Sequence, residues 1–204
     1  MKIYYSKTSP YARKVRLVVF EKGLRDQVEL ILTNPNENNS ELISLNPLSQ
    51  IPTLVLADDQ VLFDSPVICN YLDSLPCKSH QRLVPEDKDQ QLFVHRWHAM
   101  SDGLIDATYS LVMERRRPTS EQSPTWIADK SAVIERVLQV MDNQLQELVD
   151  LPHDVSLAHL TVASAVGYIE LRLPEFLDKT IYTQLLNWYE KIKTRNSMIE
   201  TQPT

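Results

Sequence analysis

The most informative chemical feature of the sequence is a serine placed where the first helix must begin. Ser9 follows a predicted strand, Lys2–Tyr5, and precedes Pro10, and these two residue types favour the N-cap and first position of a helix. A hydroxyl at a helix start lies beside unpaired backbone N–H groups and the positive end of the helix dipole. Such a place suits an anion, including a thiolate. Taken alone, Ser9 is more typical of a simple N-cap. The rest of the N-terminal half must show whether it also has a catalytic role.

The first 25 residues are strongly basic, although the whole chain carries a net charge of −6. They contain seven lysines and arginines and one glutamate, a net charge of +6 that leaves −12 for the remainder. An acidic chain is a poor candidate for nucleic-acid binding. The basic first helix indicates either a site for a small anionic ligand or a solvated helix face, and the sequence favours neither.

The composition is that of a globular chain with one large domain or two small ones: 204 residues, 43% hydrophobic and 24% charged. No apolar run approaches the roughly 20 residues of a membrane span, and no signal peptide follows Met1, so we expect a cytoplasmic protein without a membrane partner. Cys69 and Cys77 fit no Cys-x-x-Cys spacing, and His95 and His98 lack a matching carboxylate motif. We therefore predict reduced cysteines and no metal site.

The elements that must position Ser9 follow from hydrophobic periodicity and turn signals, and Gly23 marks the end of the first helix. Over about 75 residues the predicted order is β-α-β-α-β-β-α. These elements are the strand Lys2–Tyr5, the helix Pro10–Lys22, the strand Val28–Leu32, a short helix near Glu41–Leu45, the strands Thr53–Leu56 and Val61–Phe63, and a helix that begins at Ser65 and runs to about Leu75.

The second half of the sequence is helical throughout. The proline-containing stretch Pro76–Pro85 predicts an interdomain linker, which divides the chain into residues 1–77, a linker at 78–88 and a helical domain at 89–204. The predicted helices are Glu86–Arg117, Pro124–Val149, Val155–Leu171 and Thr180–Lys193.

Three motifs in this order resemble the cytosolic glutathione S-transferases, in particular their serine-type bacterial and tau-like members. Ser9–Arg16, Ser-Pro-Tyr-Ala-Arg-Lys-Val-Arg, is similar to the first helix of those classes. Gln50–Leu54, Gln-Ile-Pro-Thr-Leu, is similar to the family's loop with a cis proline, and Asp64–Ser65 to its acidic-serine pair. The resemblance spans the chain and implies an α/β thioredoxin-like N-terminal domain followed by an all-α C-terminal domain.

The resemblance also implies a glutathione site. Ser9 would donate a hydrogen bond to the glutathione thiolate and would not itself be a covalent nucleophile. The backbone of Ile51, before a cis Pro52, would pair with the cysteinyl unit. Ser65 would cap the helix and bind the γ-glutamyl carboxylate, and Asp64 would pair with the ammonium. The predicted glutathione-binding residues are Gln50, Ile51, Pro52, Asp64 and Ser65.

Tyr5 is the alternative thiolate stabiliser. In the tyrosine-type classes the catalytic phenol ends the first strand, eleven residues before a helical arginine, and Tyr5 stands eleven residues before Arg16. The electrophile pocket is expected between the domains. Since no cysteine occurs between Met1 and Asp64, thiol–disulfide exchange is disfavoured. The predicted wall of the pocket is Tyr11, Tyr109, Met113 and Arg116.

The resulting function prediction is a glutathione transferase that moves an alkyl or aryl group to sulfur, with glutathione as co-substrate and no separate cofactor. The resemblance implies a hydrophobic electrophile, a role in detoxification and a homodimer. The alternative is a non-catalytic binding or regulatory protein on the same scaffold, like the stringent starvation proteins that contact RNA polymerase.

One position departs from the family pattern. The central helix of the helical domain commonly starts with Ser/Thr-x-x-Asp, whereas this chain has Ser156-Leu-Ala-His159. An imidazole is expected to return the capping hydrogen bond less readily than a carboxylate. The sequence therefore predicts that His159→Asp stabilises the fold by about 0.5–1 kcal/mol.

Overall fold

The computed structural model describes residues 1–35, 37, 39–76, 82–151 and 154–203. Its strands are β1 (Lys2–Tyr5), β2 (Glu29–Leu32), β3 (Thr53–Val55) and β4 (Val61–Leu62). Its α-helices are α1 (Pro10–Glu21), α2 (Ser40–Leu45), α3 (Ser65–Ser74), α4 (Lys88–Arg115), α5 (Pro124–Asn143), α6 (Leu145–Val149), α7 (Leu157–Arg172), α8 (Thr183–Ile192) and α9 (Asn196–Glu200). An α/β thioredoxin-like sheet with helices precedes a helical C-terminal region, as the sequence predicts.

The four strands form one sheet in the order β2-β1-β3-β4. β1 runs parallel to β2 and antiparallel to β3, with Tyr4 opposite Thr53, and β4 is antiparallel to β3. The end of β1, the start of β3 and the end of β4 therefore lie at the same edge of the sheet. The loops that carry the three sequence motifs leave the sheet at this edge.

The first helix ends as its glycine predicts. Gly23 has φ +64°, and the N–H groups of Gly23 and Leu24 donate to the carbonyls of Phe20 and Val19 at 2.9 Å each. These two bonds form a Schellman motif, which satisfies carbonyls left unpaired at the helix end. The turn sends the chain back to β2, which completes the parallel strand–helix–strand unit.

The basic residues of α1 are buried, so the interpretation of the basic first helix as a solvated face is wrong. The alternative, a site for a small anionic ligand, stays a prediction. Arg13, Lys14, Arg16 and Lys22 all lie in the interior, and Lys14 is completely inaccessible. Arg13 and Arg16 donate to backbone carbonyls in and after α9, and Lys22 donates to the Asp73 carbonyl at 2.8 Å. These cations attach α1 to other parts of the fold.

α7 is the buried central helix of the second half, with every residue from Leu157 to Ile169 in the interior. The His159 side chain makes its half of the capping box: the Ser156 N–H donates to His159 Nδ1 at 3.1 Å, and the Ser156 hydroxyl lies 2.8 Å from the same nitrogen. The imidazole therefore does return the capping hydrogen bond. The gain in stability from His159→Asp stays a prediction.

Asp73, at the end of α3, joins the two halves of the chain. Its carboxylate accepts the N–H groups of Leu83 and Val84 at 2.7 and 3.1 Å and pairs with the Lys22 ammonium at 3.3 Å. Residues 78–81 of the predicted linker, and Cys77, lie outside the described residues. The described helices include none with the length and apolar character needed to span a membrane.

Two helix predictions differ from the structure. The predicted helix Pro124–Val149 is divided near Gln144 into α5 and α6, and α9 was not predicted. Cys69 is buried, and burial raises the pKa of its thiol to about 12. This thiol is therefore unreactive in the folded chain.

Candidate functional site

The three motifs meet at the edge of the sheet where β1 ends and β3 begins. Ser9 follows β1, Pro52 precedes β3, and Ser65 follows β4. They are separated by up to 56 positions in sequence and are brought together by the antiparallel pairing of β3 with its two neighbours. This convergence is the basis for treating the edge as the candidate active site.

Ser9 is the N-cap of α1. Its side-chain oxygen accepts the Ala12 N–H at 3.2 Å, and Pro10 occupies the first turn. Accepting this bond leaves the hydroxyl proton of Ser9 free to be donated. The side chain is half-buried. A donor of this kind, next to the positive end of a helix dipole, can stabilise an anion bound at the helix N-terminus.

Tyr5, the alternative stabiliser, ends β1. Its ring packs against the hydrophobic core between the sheet and the helices, and the Arg16 guanidinium lies 4.9 Å from the ring centroid. Arg16 in turn donates to the Glu200 carbonyl at 3.1 Å. Tyr5 therefore has a packing and cation–π role toward the C-terminal segment.

The loop before β3 offers a free backbone edge. The Ile51–Pro52 peptide bond is cis, as the resemblance implies. The Gln50 carbonyl accepts from Asn46 Nδ2 at 3.1 Å and from Thr53 Oγ1 at 2.8 Å, which holds the loop. Among the described residues, none hydrogen-bonds to the N–H or C=O of Ile51. These two groups can therefore pair with an extended peptide.

The acidic-serine pair differs from the sequence prediction by one position. The N-cap of α3 is Asp64, and Ser65 is the first residue of the helix, so Ser65 does not cap it. The Asp64 carboxylate makes no capping bond and is exposed, while Ser65 is only 2% exposed. The Phe63–Asp64 peptide bond is cis. The pair still presents an exposed carboxylate beside the N–H groups of a helix start.

Polar contacts from α4 and α7 hold the N-terminal part of α1. The Tyr11 hydroxyl donates to Asp106, and the Ser164 hydroxyl donates to the Pro10 carbonyl at 2.8 Å. The Lys14 ammonium forms an ion pair with Asp102. The orientation of Ser9 thus depends on α4 and α7 as well as on its own strand and helix.

A buried cluster around Lys14 was missed in the sequence. Lys14 Nζ lies 2.9 Å from His98 Nε2, and Asp102 lies 3.4 Å from the same nitrogen. Burial, and then the Lys14 charge, lower the pKa of His98 to about 3, so its imidazole stays neutral. The i, i+4 spacing of His98, Asp102 and Asp106 was the available signal, since it places them on one face of α4.

The pKa values of two side chains at this cluster, Tyr11 and Asp102, are shifted so that their neutral forms are favoured. Burial, and then the hydrogen bond to Asp106, raise the pKa of the Tyr11 hydroxyl. Burial outweighs the nearby Lys14 charge and raises the pKa of Asp102. Tyr11 therefore remains a hydrogen-bond donor throughout the neutral range.

The remaining predicted pocket residues lie along one face of α4. Tyr109 and Met113 are exposed by 45% and 41%, and Arg116 follows at the end of the helix.

Among the described residues, no three His, Cys, Asp or Glu side chains are grouped so as to hold a metal ion.

Comparison with known proteins identifies the family of the chain. Residues 8–75 match the family model described as glutathione S-transferase, N-terminal domain. The GST-like protein YibF of Escherichia coli (strain K12) is 31% identical over 206 residues, which cover 100% of this chain and 98% of that protein. The chain belongs to the glutathione S-transferase family.

Solved structures of this family superpose on the whole chain. A glutathione S-transferase from Methylobacillus flagellatus KT with glutathione bound is 38% identical, covers 100% of this chain and 99% of its own, and has a TM-score of 0.89. A family member from Pseudomonas fluorescens Pf-5 with bound glutathione is 32% identical, with coverage of 100% and 98% and a TM-score of 0.91.

The stringent starvation alternative receives only partial support. A stringent starvation protein A homologue from Haemophilus ducreyi is 42% identical over 73 residues, which cover 36% of this chain and 33% of that protein. That similarity is limited to about a third of either chain, whereas the transferase structures match throughout. The regulatory alternative is therefore not favoured.

Proposed function

We propose that this protein is a glutathione transferase in which Ser9 stabilises the glutathione thiolate for attack on an organic electrophile. The observation that carries the proposal is the state of the Ser9 hydroxyl. Its oxygen accepts the Ala12 N–H at the start of α1, and its proton is free to be donated. Tyr5 is the alternative, and it lacks the helix N-terminus that Ser9 occupies.

The groups around Ser9 suit the rest of the tripeptide. The free N–H and C=O of Ile51 would pair with the cysteinyl unit as an added strand, with Gln50 alongside. The N–H groups at the start of α3, with Ser65, would bind the γ-glutamyl carboxylate, and Asp64 would pair with its ammonium. The carboxylate and the ammonium of the γ-glutamyl unit would then both be paired by neighbouring residues at the start of α3.

The chemistry requires little beyond a lowered thiol pKa. A pKa of about 8.5 lowered by about two units makes the thiolate the main form at neutral pH, and this shift corresponds to about 2.7 kcal/mol. One hydrogen bond to a charged group contributes about 1.5–3 kcal/mol, to which the dipole of α1 adds. The thiolate then attacks the electrophile directly, without a general base. The electrophile would lie against Tyr11, Tyr109, Met113 and Arg116.

The test is the ultraviolet thiolate absorbance of bound glutathione in Ser9→Ala and Tyr5→Phe. Ser9→Ala should raise the pKa of the bound thiol by about 1–2 units and lower kcat/KM at neutral pH about 10- to 100-fold. Ser6→Ala, in the same loop, is the matched control and should keep the absorbance. If Tyr5→Phe alone abolishes it, Ser9 is not the stabilising residue.

We also propose a homodimer and a role in detoxification, both of which the family resemblance implies. Leu92 on α4 and Val67 on α3 are large apolar side chains exposed by 71% and 46%, which a second copy of the chain would cover. Light scattering of the wild type and of Leu92→Asp tests the dimer. A monomeric wild type would rule it out.

A further inference from the structure

A cavity of about 230 Å³ lies where α1, α7, α8 and the C-terminal segment meet. Arg13 of α1 and Gly167 of α7 line it, together with Tyr189 of α8 and residues of α9. Among the described residues that line this cavity, none is predicted to bind glutathione or the electrophile. The cavity is therefore made by a different set of side chains from the candidate active site.

Arg13 is a buried cation that forms no ion pair with a described residue. It is only 5% exposed. Its guanidinium donates to the Met198 carbonyl at 3.3 Å and is hydrogen-bonded to the Tyr189 hydroxyl, and both of these partners are neutral. Its Nε is buried with no hydrogen-bond partner in the described part of the chain. Because buried charges in proteins are normally paired with an opposite charge, Arg13 leaves a positive charge at this cavity that its direct contacts do not neutralise.

The carboxylate at the cavity, that of Glu170, already has two partners. Its Oε1 accepts from Lys193 Nζ at 2.8 Å, and its Oε2 accepts from the Tyr189 hydroxyl at 3.0 Å. The described lining thus holds two positive groups, Arg13 and Lys193, and one negative group, Glu170, which gives a net charge of +1. A ligand with one negative charge would neutralise this lining.

Gly167 keeps space beside these polar groups. A Cβ at this position would lie against the Arg13 guanidinium and 2.8 Å from the Tyr189 hydroxyl. Since Gly167 itself lines the cavity, any side chain here would occupy the space next to the buried cation. The glycine therefore leaves room for a ligand group close to Arg13.

Much of the remaining lining is apolar, and the volume limits the size of the ligand. Leu171 and Ile199 are exposed apolar side chains at the cavity, and Met198 and Pro203 lie beside them. A cavity of about 150 Å³ accepts one benzene ring, whereas sites for drug-sized ligands begin at about 300 Å³. A cavity of about 230 Å³ therefore suits one ring with a small substituent.

We propose that this cavity is a binding site for a small aromatic monocarboxylate, with the carboxylate at Arg13 and the ring against Leu171 and Ile199. Arginine is well suited to a partly buried carboxylate, because its guanidinium is planar, always charged and weakly hydrated. A carboxylate here would give Arg13 the negatively charged partner that it lacks among the described residues. The site does not depend on the proposed transferase function.

The probe is benzoate, and calorimetry with two matched compounds separates its charge from its ring. Benzamide keeps the ring and loses the charge, and acetate keeps the charge and loses the ring. We expect benzoate to bind the wild type about 10-fold more tightly than either compound. Equal affinities for benzoate and benzamide, equal affinities for benzoate and acetate, or a Kd for benzoate above about 1 mM would overturn the proposal.

Variants test the position of the carboxylate. Arg13→Gln should bind benzoate and benzamide alike. Lys193→Gln provides a second test at a half-buried position, because it leaves the Glu170 charge without its ion pair and should weaken benzoate binding about 10-fold while benzamide binding is unchanged. Lys191→Gln is the matched control, since Lys191 is an exposed residue of α8 that does not line the cavity. Equal losses in Lys193→Gln and Lys191→Gln would overturn the assignment.

Competition separates this site from the candidate active site. S-Benzylglutathione would occupy both the thiolate site and the electrophile pocket. At a saturating concentration it should leave the Kd of benzoate unchanged, since the two ligands would use different side chains. Displacement of benzoate by this conjugate would place benzoate in the active site and refute the second site. Absence of glutathione binding would contradict only the proposed function.

Discussion

Acidification should destabilise this protein through His159, which is 5% exposed and accepts the Ser156 N–H at 3.1 Å. Burial, and then the Arg195 charge, lower the pKa of His159 from 6.5 to about 4. Because the folded pKa lies below the unfolded value, the stabilisation is complete above pH 6.5 and is lost as the pH falls toward 4. At about pH 5 the unfolded imidazole is almost fully protonated and the folded one is neutral, which amounts to about 2 kcal/mol.

The assay is urea unfolding at about pH 7 and about pH 5, and its readout is the difference between the two free energies of unfolding. His159→Asn keeps an acceptor for the Ser156 N–H but cannot titrate, so its difference should be smaller than that of the wild type by about 2 kcal/mol. His98, with a pKa of about 3, also lowers the free energy of unfolding at acidic pH, and it does so in both the wild type and His159→Asn. Ser156→Ala retains the buried imidazole and is the control that should keep the wild-type difference. An unchanged difference in His159→Asn would refute the reasoning.

Three further substitutions test packing, and two of them, at Gly167 and Asp73, lie against α1. Gly167→Ala would place a Cβ against the Arg13 guanidinium and 2.8 Å from the Tyr189 hydroxyl, so it should destabilise by about 1–2 kcal/mol despite the better helix propensity of alanine. Gly103→Ala, with nothing within 4 Å, should instead stabilise by about 0.5–1 kcal/mol, and urea midpoints of the pair decide the sign. Asp73→Asn removes the carboxylate that pairs with the buried Lys22 at the end of α1. It should lower the free energy of unfolding by on the order of 3 kcal/mol in the same urea assay. A decrease below about 1 kcal/mol would contradict the role given to Asp73.

The candidate site was predictable from the sequence to the extent that its signals are local. Ser9 before Pro10 indicates a helix start, and Gly23 indicates a helix end, because caps depend on a few neighbouring residues. The exact cap of α3 was not predictable. Ser65 is the better N-cap by residue type, but the backbone at Asp64 is extended and Ser65 already belongs to α3. The boundary depends on the path of the chain out of β4.

The surroundings of the site were not predictable, because they are made by partners distant in the chain. Arg13 binds a carbonyl 185 positions away, and Lys14 binds an acid 88 positions away. In sequence both resemble solvated helix residues. Only the packing of α1 against α4, α7 and α9 shows that they are interior groups.

By itself the sequence determined the order of strands and helices in the first 75 residues, the ends of the first helix and the three motifs of the site, since each is encoded by hydrogen-bonding and backbone preferences within a few residues. The tertiary structure alone decided which charges are neutralised and which are not. Lys14 is paired in the interior, and Arg13 forms no ion pair with a described residue. Charge pairing depends on distances between side chains that only the folded chain brings together.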